Sequence, residues 1–288
     1  MSLLTMTLPP PTPLPSTLTP ALQAELTAFV TGISALTGID FTRYQRSALL
    51  RRLLPRLDLE ATGSLTALLD KARADRACLV RLQGDMTLHV TSLFRDATYF
   101  QLVRQQIGLL ATYPSPRLWV AACATGEELF SYRILLHEAG LDKRCRLYAT
   151  DLSATVLAKA QQGLIEPYQL ADHEKAYQEA GGQGNLLDYC QLQDGQLRFH
   201  PALIDGVVFS VHNLLTDGSF NEFQFISCRN VTMYFDELGQ EQAHRLLHQS
   251  LTPLGHLGLG IGESLRHSPH RADYRQLGRG EPLFQRIR

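Results

Sequence analysis

Apolar residues recur at helical spacing after residue 19. They form one face of a first helix that ends before Gly38, namely Leu22, Leu26, Phe29, Val30 and Ile33. Pro20 suits the first turn of this helix. The same spacing predicts a second helix from about Phe41 and a third over about residues 64–82. We therefore expect a small all-α N-terminal domain over residues 20–85.

From residue 117 the pattern changes to short apolar runs that alternate with helical segments. Strands are predicted at Leu118–Ala122, Arg146–Thr150, Val207–His212, Phe223–Ser227 and His256–Ile261. Helices are predicted at about residues 127–139, 154–162 and 236–251. This alternation is typical of an α/β, Rossmann-like fold with a mostly parallel, doubly wound sheet, here over residues 117–288. Residues 86–116 are expected to link the two domains and to carry part of the active site.

Residues 164–206 interrupt the alternation and are longer than an ordinary connection. Within them, Asp194-Gly195 separates two short candidate strands, Tyr189–Gln193 and Gln196–His200. Asp-Gly between such strands is a strong hairpin signal. We expect a small antiparallel β subdomain inserted in the main sheet.

Five of the residues 1–19 are proline. Proline disrupts a helix interior and a central strand because it lacks a backbone N–H and has a fixed φ. We expect residues 1–19 to form a flexible, proline-rich leader.

Composition and charge narrow the class of function. The 288-residue chain has a formal net charge of −1, so no overall positive field attracts nucleic acid. Its apolar runs fall short of the roughly 18–20 residues that span a bilayer, which argues against membrane insertion. The cysteines lack C-x-x-C spacing, which favours reduced thiols in the cytoplasm and no metal site; they are Cys78, Cys123, Cys145, Cys190 and Cys228.

The turn after the first predicted strand carries informative chemistry. It runs over residues 122–126, two acids follow it, and Asp151 ends the next predicted strand. In a βαβ unit such a turn brings bare backbone to a nucleotide-like ligand, and such an acid accepts hydrogen bonds from ribose hydroxyls. The turn lacks G-x-G-x-x-G, the glycine pattern that cradles a pyrophosphate. The pattern favours a ligand with an adenosine and no phosphates, such as S-adenosylmethionine.

Further polar residues precede the sheet or follow its strands. Thr91 and Arg95 come before the first strand, while Asn213-Leu214 and Arg229-Asn230 come directly after two later strands. The carboxyl ends of parallel strands meet at one edge of a sheet, so these residues are expected to converge. Taken singly, each can also be explained as a cap of a helix or turn, or as an ion pair.

Several of these strings match family patterns. His89-Val-Thr91-Ser-Leu-Phe94-Arg95 is similar to N-x-T-x-F-F-R, and Ala149-Thr-Asp151-Leu to A-T-D-I. Ala121-Ala-Cys123-Ala-Thr-Gly126-Glu-Glu128-Leu-Phe-Ser131 is similar to A-x-C-S-x-G-x-E-P-Y-S. The most specific string, similar to F-D-x-I-x-C-R-N-V-x-I-Y-F, is Phe223-Gln-Phe-Ile226-Ser-Cys228-Arg229-Asn230-Val231-Thr-Met-Tyr234-Phe235. With Gly38-Ile-Asp-Phe and Gly262-Glu-Ser264, the chain after residue 20 resembles the CheR family of chemoreceptor glutamate methyltransferases.

The resemblance implies methyl transfer from S-adenosylmethionine to glutamate side chains in the cytoplasmic domain of a methyl-accepting chemoreceptor. The products would be methyl esters and S-adenosylhomocysteine. Arg95 would orient a carboxylate, and Tyr234 would hydrogen-bond near the transferred methyl. The cofactor-binding residues would be Thr91, Arg95, Gly126, Glu128, Asp151, Asn213, Leu214, Arg229 and Asn230, with Asp151 on the ribose.

The second predicted helix is rich in arginine, with Arg43, Arg46, Arg51, Arg52 and Arg56. Such a set is either a solvated face whose side-chain stems cover apolar surface or a docking face for an acidic partner. The resemblance favours docking against the chemoreceptor.

The chain departs from the family patterns at several positions. His89 stands where the family has Asn, Leu93 where it has Phe, and Ala124 where it has Ser. Leu129-Phe130 replaces Pro-Tyr, and Gln224 replaces Asp. Two alternatives therefore stay open. One is a non-catalytic S-adenosylmethionine-binding or scaffolding protein of the same fold. The other is a methyltransferase redirected to another protein.

Overall fold

The computed structural model describes residues 19–87, 91–193 and 195–288. These residues divide into two compact units. The helical unit contains residues 19–87 and, from far along the chain, Tyr234–Asp236. The sheet unit contains the remaining described residues from 91 to 288. The predicted leader lies outside the described residues except for Thr19.

The helical unit contains four helices: α1 Pro20–Thr37, α2 Arg46–Leu59, α3 Leu65–Ala74 and α4 Arg76–Met86. Thr19 caps α1 by accepting a hydrogen bond from the backbone N–H of Leu22 at 3.3 Å. Gly38 ends the helix with φ of 72°, a left-handed conformation that glycine adopts without steric cost. The apolar face of α1 is buried at Leu26, Phe29, Val30 and Ile33, which confirms the predicted pattern.

Two predicted helix bounds in this unit are wrong. The second helix begins at Arg46 and not near Phe41, because Phe41 and Tyr44 turn inward as buried contacts. Tyr44 instead makes an isolated antiparallel bridge with Phe235. The third helix breaks at Asp75, whose extended backbone ends α3 and whose carboxylate caps α4 through the N–H of Ala77. A capping side chain favours the start of a new helix over continuation of the old one. The spacing of apolar residues does not reveal such a cap.

The sheet unit is built on a seven-stranded sheet in the order β6-β2-β1-β7-β8-β10-β9. Its strands are β1 Arg117–Ala121, β2 Arg146–Asp151, β6 Val208–Val211, β7 Phe223–Cys228, β8 Leu251–Leu259, β9 Tyr274–Leu277 and β10 Leu283–Arg286. The first five strands in that order are parallel, and β10 and β9 are antiparallel. The central strands β1, β2 and β7 are almost wholly buried. This burial explains their continuous apolar runs.

Six helices accompany this sheet: α5 Ala97–Ile107, α6 Glu127–Glu138, α7 Ala154–Gln162, α8 Leu170–Glu179, α9 Pro201–Ile204 and α10 Glu237–Ser250. Of these, α6, α7 and α10 lie within one residue of their predicted bounds. By contrast, α5 lies within the segment expected to be a linker. It buries Tyr99, Phe100 and Val103, so it is part of the core of the sheet unit.

The end of the sheet differs from its prediction. Strand β8 begins at Leu251 rather than His256, and its pairing with β7 shifts register between Phe223 and Phe225. This irregularity accommodates Pro253 and Gly255, residues that normally interrupt a strand. The antiparallel pair β9 and β10 was not among the predicted strands.

A second, three-stranded sheet forms the insert, in the order β3-β5-β4. Its strands are β3 Leu164–Ile165, β4 Cys190–Gln193 and β5 Gln196–Phe199, all antiparallel. Pairing of Gln193 with Gln196 confirms the hairpin, although Asp194 itself lies outside the described residues. Helix α8 lies within the same inserted segment.

Among the described residues, each helix is too short or too polar to cross a membrane.

Candidate active site

The turn after β1 is shaped by left-handed backbone. Ala122, Ala124 and Gly126 have φ of 54°, 49° and 102°. A side chain at Gly126 would come within 3.1 Å of both Ala160 and Phe130, so only glycine fits without displacement. Left-handed alanines are uncommon because Cβ approaches the neighbouring carbonyl. The turn therefore holds a costly conformation, as backbone at functional sites often does.

Asp151 lies beside this turn at the end of β2. One carboxylate oxygen accepts from the backbone N–H of Ala124 at 3.0 Å, and the other accepts from the N–H of Ser153 at 3.0 Å. The N–H of His212, just after β6, donates to the Asp151 carbonyl at 3.1 Å. Asp151 thus joins the ends of β1, β2 and β6, as the parallel sheet predicts.

Glu128 and Arg229 form a buried ion pair across two strand ends. Glu128 lies in the first turn of α6, Arg229 follows β7, and their nearest charged atoms are 3.0 Å apart. Arg229 also donates to the Arg95 carbonyl at 3.0 Å and to the Asp96 carboxylate at 2.8 Å. Three segments distant in sequence therefore converge on one guanidinium.

The Arg229 side chain is fully buried. Its guanidinium carbon lies 4.1 Å from the centre of the Tyr99 ring. Burial lowers the pKa of Arg229, but the charge of Glu128 and the other nearby acidic groups outweighs burial and raises it overall. The guanidinium thus holds Glu128 and the Arg95 carbonyl in position, and the predicted contact of Arg229 with the cofactor stays a prediction.

A chain of hydroxyls supports Glu128 from behind. Ser227 donates to Glu128 at 2.6 Å, and Tyr132 donates to Ser227 at 3.1 Å. The hydroxyls of Tyr132 and Tyr99 are 2.7 Å apart. Burial raises the pKa of Tyr99 to about 12, so this chain stays protonated. Each of these residues occupies a core position of its helix or strand, so the sequence pattern gives no sign that it belongs to the site.

Glu263 is a further residue missing from the predicted site. Its carboxylate accepts from the backbone N–H groups of Gly260, Asn230, Val231 and Met233, and from the hydroxyl of Thr232. Asn230 has φ of 59° and is held in that conformation by the Glu263 contact. The Gly262-Glu-Ser264 string was the one available sign of this residue.

Asn213 and Leu214 lie just after β6. The Asn213 side chain accepts from the N–H of Leu215 at 2.9 Å, and its own N–H donates to Asp217 at 2.8 Å. Leu214 is buried. Asn213 therefore shapes a local turn, which was the alternative explanation considered from the sequence.

Arg95 lies between two residues with left-handed backbone, Phe94 and Asp96, with φ of 50° and 63°. The N–H of Phe94 donates to the hydroxyl of Ser131 at 2.8 Å, which ties this segment to α6. The carbonyl of Arg95 is held by Arg229. The backbone at Arg95 is thus anchored on both sides, and its side chain is half-buried.

A cavity of about 480 Å³ opens between the turn after β1 and the insert. Thr91, Thr125 and Glu127 line it on one side, and residues of the insert line it on the other. Burial raises the pKa of Glu127, against the opposing effect of its hydrogen bond from Thr125. Of the predicted cofactor residues, Thr91 alone lines this cavity.

The remaining predicted residues belong to the helical unit or are not described. Tyr234 packs in the helical unit, with the Arg52 guanidinium carbon 4.2 Å from its ring centre. His89 lies outside the described residues.

The arginine-rich face of α2 is only partly available to a partner. Arg52 donates to the Met86 carbonyl, and Arg56 pairs with Asp85 and Glu60. Hydrogen bonds from Arg81 and Lys71 lower the pKa of Glu60 to about 2, so it stays ionised. Arg43 lies 3.8 Å from Asp236, whereas Arg51 is exposed. Three of the five arginines, Arg43, Arg52 and Arg56, therefore contact residues of the same unit.

Two family models match the chain. The one described as CheR methyltransferase, SAM binding domain matches residues 89–279. The one described as CheR methyltransferase, all-alpha domain matches residues 24–87. Together they cover both units.

Individual relatives agree with this match. The Pseudomonas putida protein that carries the name methyltransferase Cher3 is 34% identical over 263 residues, which cover 91% of this chain and 96% of that protein. A chemotaxis protein methyltransferase of Salmonella typhimurium is 30% identical over 235 residues, with 79% of each chain covered. One from Listeria innocua is 26% identical over 263 residues, with 88% and 94% covered.

Proposed function

Because this chain belongs to the CheR methyltransferase family, we propose that it methylates glutamate carboxylates of a methyl-accepting chemoreceptor, with S-adenosylmethionine as the methyl donor. The observation that carries the proposal is the meeting of Asp151, the left-handed turn after β1 and the Glu128–Arg229 pair at the ends of the parallel strands. The names of the chemotaxis relatives support the receptor as substrate.

The residues at the strand ends fit an adenosine-containing cation. Asp151 offers carboxylate oxygens to a ribose diol at the position where Rossmann-like folds place one. The turn over residues 122–126 presents backbone and small side chains, which permit close approach. We propose that Thr91, Gly126, Glu128, Asp151, Asn213, Leu214 and Asn230 line this ligand, and that Arg229 acts by positioning Glu128.

The charge of the site suits a sulfonium. Arg229 is one positive charge against the two carboxylates it touches, Asp96 and Glu128. Asp151 adds a third negative charge at the same edge of the sheet, and Arg95 adds a second positive charge, which leaves an excess of one negative charge. Excess negative charge in a partly buried site favours a cation, and it favours the neutral thioether product less.

In the proposed reaction the main task of this chain is to position the methyl donor and the glutamate carboxylate. S-adenosylmethionine supplies, when bound, an electrophilic methyl group on a positively charged sulfur. A glutamate carboxylate is ionised at neutral pH, since its ordinary pKa is about 4.3, so no general base is needed. The carboxylate oxygen forms the new bond to the methyl carbon as the carbon–sulfur bond breaks, and the bonding pair stays on sulfur. Holding two reactants in line can supply about 7–11 kcal/mol of the barrier.

We propose that Arg95 orients the incoming carboxylate, because its backbone is anchored on both sides and a guanidinium binds carboxylate in a defined geometry. The role of Tyr234 near the transferred methyl stays a prediction from the family pattern. Kinetics of Tyr234→Phe would test it, with a lower kcat and unchanged cofactor affinity expected.

The experiment that tests the proposal begins with calorimetric titration of the full chain with S-adenosylmethionine. Asp151→Ala is expected to weaken binding about 10- to 100-fold, the effect of losing hydrogen bonds to a charged group. The matched control is Asp142→Ala, because Asp142 precedes the opposite end of the same strand and contacts His137 at the surface. Equal affinity in the two variants would contradict the role of Asp151.

Transfer is then measured with a methyl-labelled donor and a chemoreceptor cytoplasmic fragment. Glutamate esters release labelled methanol in alkali, whereas methylated amines do not. Binding without transfer to the fragment would favour the scaffolding alternative. Alkali-stable label, or transfer only to another protein, would favour a redirected methyltransferase.

The receptor is proposed to dock on the arginine-rich α2, with Arg51 as its most accessible charge. Arg51→Glu is expected to slow transfer at low salt and to leave cofactor affinity unchanged. The control is Arg76→Glu on α4, another exposed arginine. Equal slowing by both variants would point to a general charge effect rather than to docking at α2.

A further inference from the structure

Two histidines and an aspartate converge at the β9 edge of the sheet unit, three strands beyond β7. His248 lies in the last turn of α10, while His270 and Asp273 lie just before β9. The distance from Asp273 Oδ2 to His248 Nε2 is 3.9 Å, and that from Asp273 Oδ2 to His270 Nδ1 is 3.4 Å. All three potential ligand atoms lie within 4.8 Å of one another.

We propose that His248, His270 and Asp273 bind a divalent transition metal ion of the class of Zn²⁺. Two imidazoles and one carboxylate are a donor set that Zn²⁺ uses in proteins, with a water as fourth ligand. At metal–ligand distances of about 2.0–2.1 Å, tetrahedral ligand atoms lie about 3.4 Å apart. The distance from Asp273 Oδ2 to His270 Nδ1 is 3.4 Å, which equals this value. The distance from Asp273 Oδ2 to His248 Nε2 is 3.9 Å, which exceeds it by about half an ångström.

The environment of His248 prepares it as a ligand. Its Nδ1 lies 3.2 Å from the hydroxyl of Tyr274, which leaves Nε2 as the atom that faces Asp273. Metal-bound histidines commonly have their second nitrogen held in this way.

His270 is the adjustable ligand. Its ring stacks on that of His248, with centres 3.8 Å apart and planes 1° from parallel. A metal ion lies in the plane of an imidazole that binds it, so one ring must turn. His270 is partly exposed, so rotation about its Cβ–Cγ bond is the adjustment that the proposal requires.

Arg286 is the charge that opposes a cation here. Its guanidinium donates to the carbonyls of His248 and Leu251. The Asp273 carboxylate offsets this charge. We therefore expect affinity in the micromolar range rather than the tighter binding of structural zinc sites.

The test is calorimetric titration of chelator-treated, tag-free full chain with Zn²⁺, together with the visible spectrum of the Co²⁺-loaded protein. One ion per chain and a Co²⁺ band of a low-coordinate nitrogen–oxygen site are expected. His270→Ala and Asp273→Asn are each expected to weaken binding at least tenfold. The control is His267→Ala, a neighbouring half-buried histidine outside the set.

Thermal unfolding gives an independent readout. Zn²⁺ is expected to raise the Tm of the wild type and of His267→Ala, and to leave the Tm of His270→Ala unchanged, since only a ligand bound to the folded state stabilises it. Melting curves in chelator show that the variants are folded. Absence of Zn²⁺ binding by the wild type, or equal binding by all variants, would overturn the proposal. Neither result depends on methyl transfer.

Discussion

At the scale of single residues, the role of each buried carboxylate follows from the number of hydrogen bonds it accepts from the protein. Glu263 accepts five hydrogen bonds, four of them from backbone N–H groups. Gly260 must be glycine beside it, because a Cβ there would lie 2.7 Å from the carboxylate. Glu263 therefore shapes the chain after β7, whereas Asp151 and Glu128 lie at strand ends where a ligand is proposed.

Glu263→Gln is expected to destabilise the protein by about 2–4 kcal/mol. The amide places N–H groups against backbone donors, and hydrogen bonds to a charged acceptor are worth about 1.5–3 kcal/mol each. Urea unfolding measures the change. Glu222→Gln, at an exposed position, is the control and is expected to change stability by less than about 0.5 kcal/mol. A similar small change in Glu263→Gln would mean that the five contacts contribute little.

The protein is expected to lose stability as the pH is lowered, because a buried histidine on α10 becomes protonated. Burial, with a smaller effect of His267, lowers the pKa of His244 to about 4, and unfolding restores it toward about 6.5. The neutral form is therefore favoured in the folded state. Its stabilisation is complete above pH 6.5 and is lost as pH falls toward 4, by about 2 kcal/mol between pH 7.5 and pH 5.

His244→Leu keeps the apolar packing and removes the titrating group. Urea unfolding at both pH values is expected to show a smaller acid loss in this variant than in the wild type. Equal losses would assign the acid sensitivity to other groups.

At the scale of elements, helix α5 and strand β8 fit each other through one glycine. A Cβ at Gly258 would lie 1.8 Å from the hydroxyl of Tyr99. That hydroxyl belongs to the chain that supports Glu128 through Tyr132 and Ser227. The packing of α5 on β8 thus helps to position the site, although α5 lies in a segment expected to be a linker.

Gly258→Ala is expected to displace Tyr99 and destabilise the protein by about 1–3 kcal/mol, the usual effect of overpacking. Tyr99→Phe removes the clashing hydroxyl, so the double variant is expected to lose less than the sum of the single variants. A double-mutant cycle by chemical denaturation measures this coupling. Strict additivity would show that the two positions are independent. Because Glu128 loses support, cofactor affinity is also expected to fall in Gly258→Ala.

At the scale of the whole molecule, the five cysteines are all buried thiols spread over both units. Burial raises the pKa of Cys145 and Cys190 to about 12 and also raises that of Cys123. Thiols react as thiolates, so burial and the raised pKa both protect these cysteines from reaction. None of the five is placed as a nucleophile.

Thiol labelling of the native protein is therefore expected to be slow at all five cysteines and complete after unfolding in denaturant. Mass spectrometry of protein labelled for increasing times measures the number of accessible thiols. Rapid labelling of Cys123, in the turn after β1, or of Cys228, the last residue of β7, would indicate that the site opens to solvent.

The sequence by itself determined the fold class, the central strands and the family. Continuous apolar runs mark strands buried on both faces, and the motif spacing identifies the CheR resemblance without any tertiary information. The strand-end positions of Asp151, Glu128 and Arg229 follow from the same pattern, because parallel strands end at one edge.

Tertiary structure alone decided what each side chain contacts. The Arg229 side chain is fully buried and contacts Asp96 and Glu128. Arg52 and Arg56 contact residues of their own unit. The hydroxyls of Tyr99, Tyr132 and Ser227 form a hydrogen-bonded chain that ends at Glu128. Asp75 breaks a helix that apolar spacing continues. These outcomes depend on contacts between residues far apart in sequence, which local periodicity does not encode. His248 and Asp273 meet for the same reason, 25 positions apart in the chain.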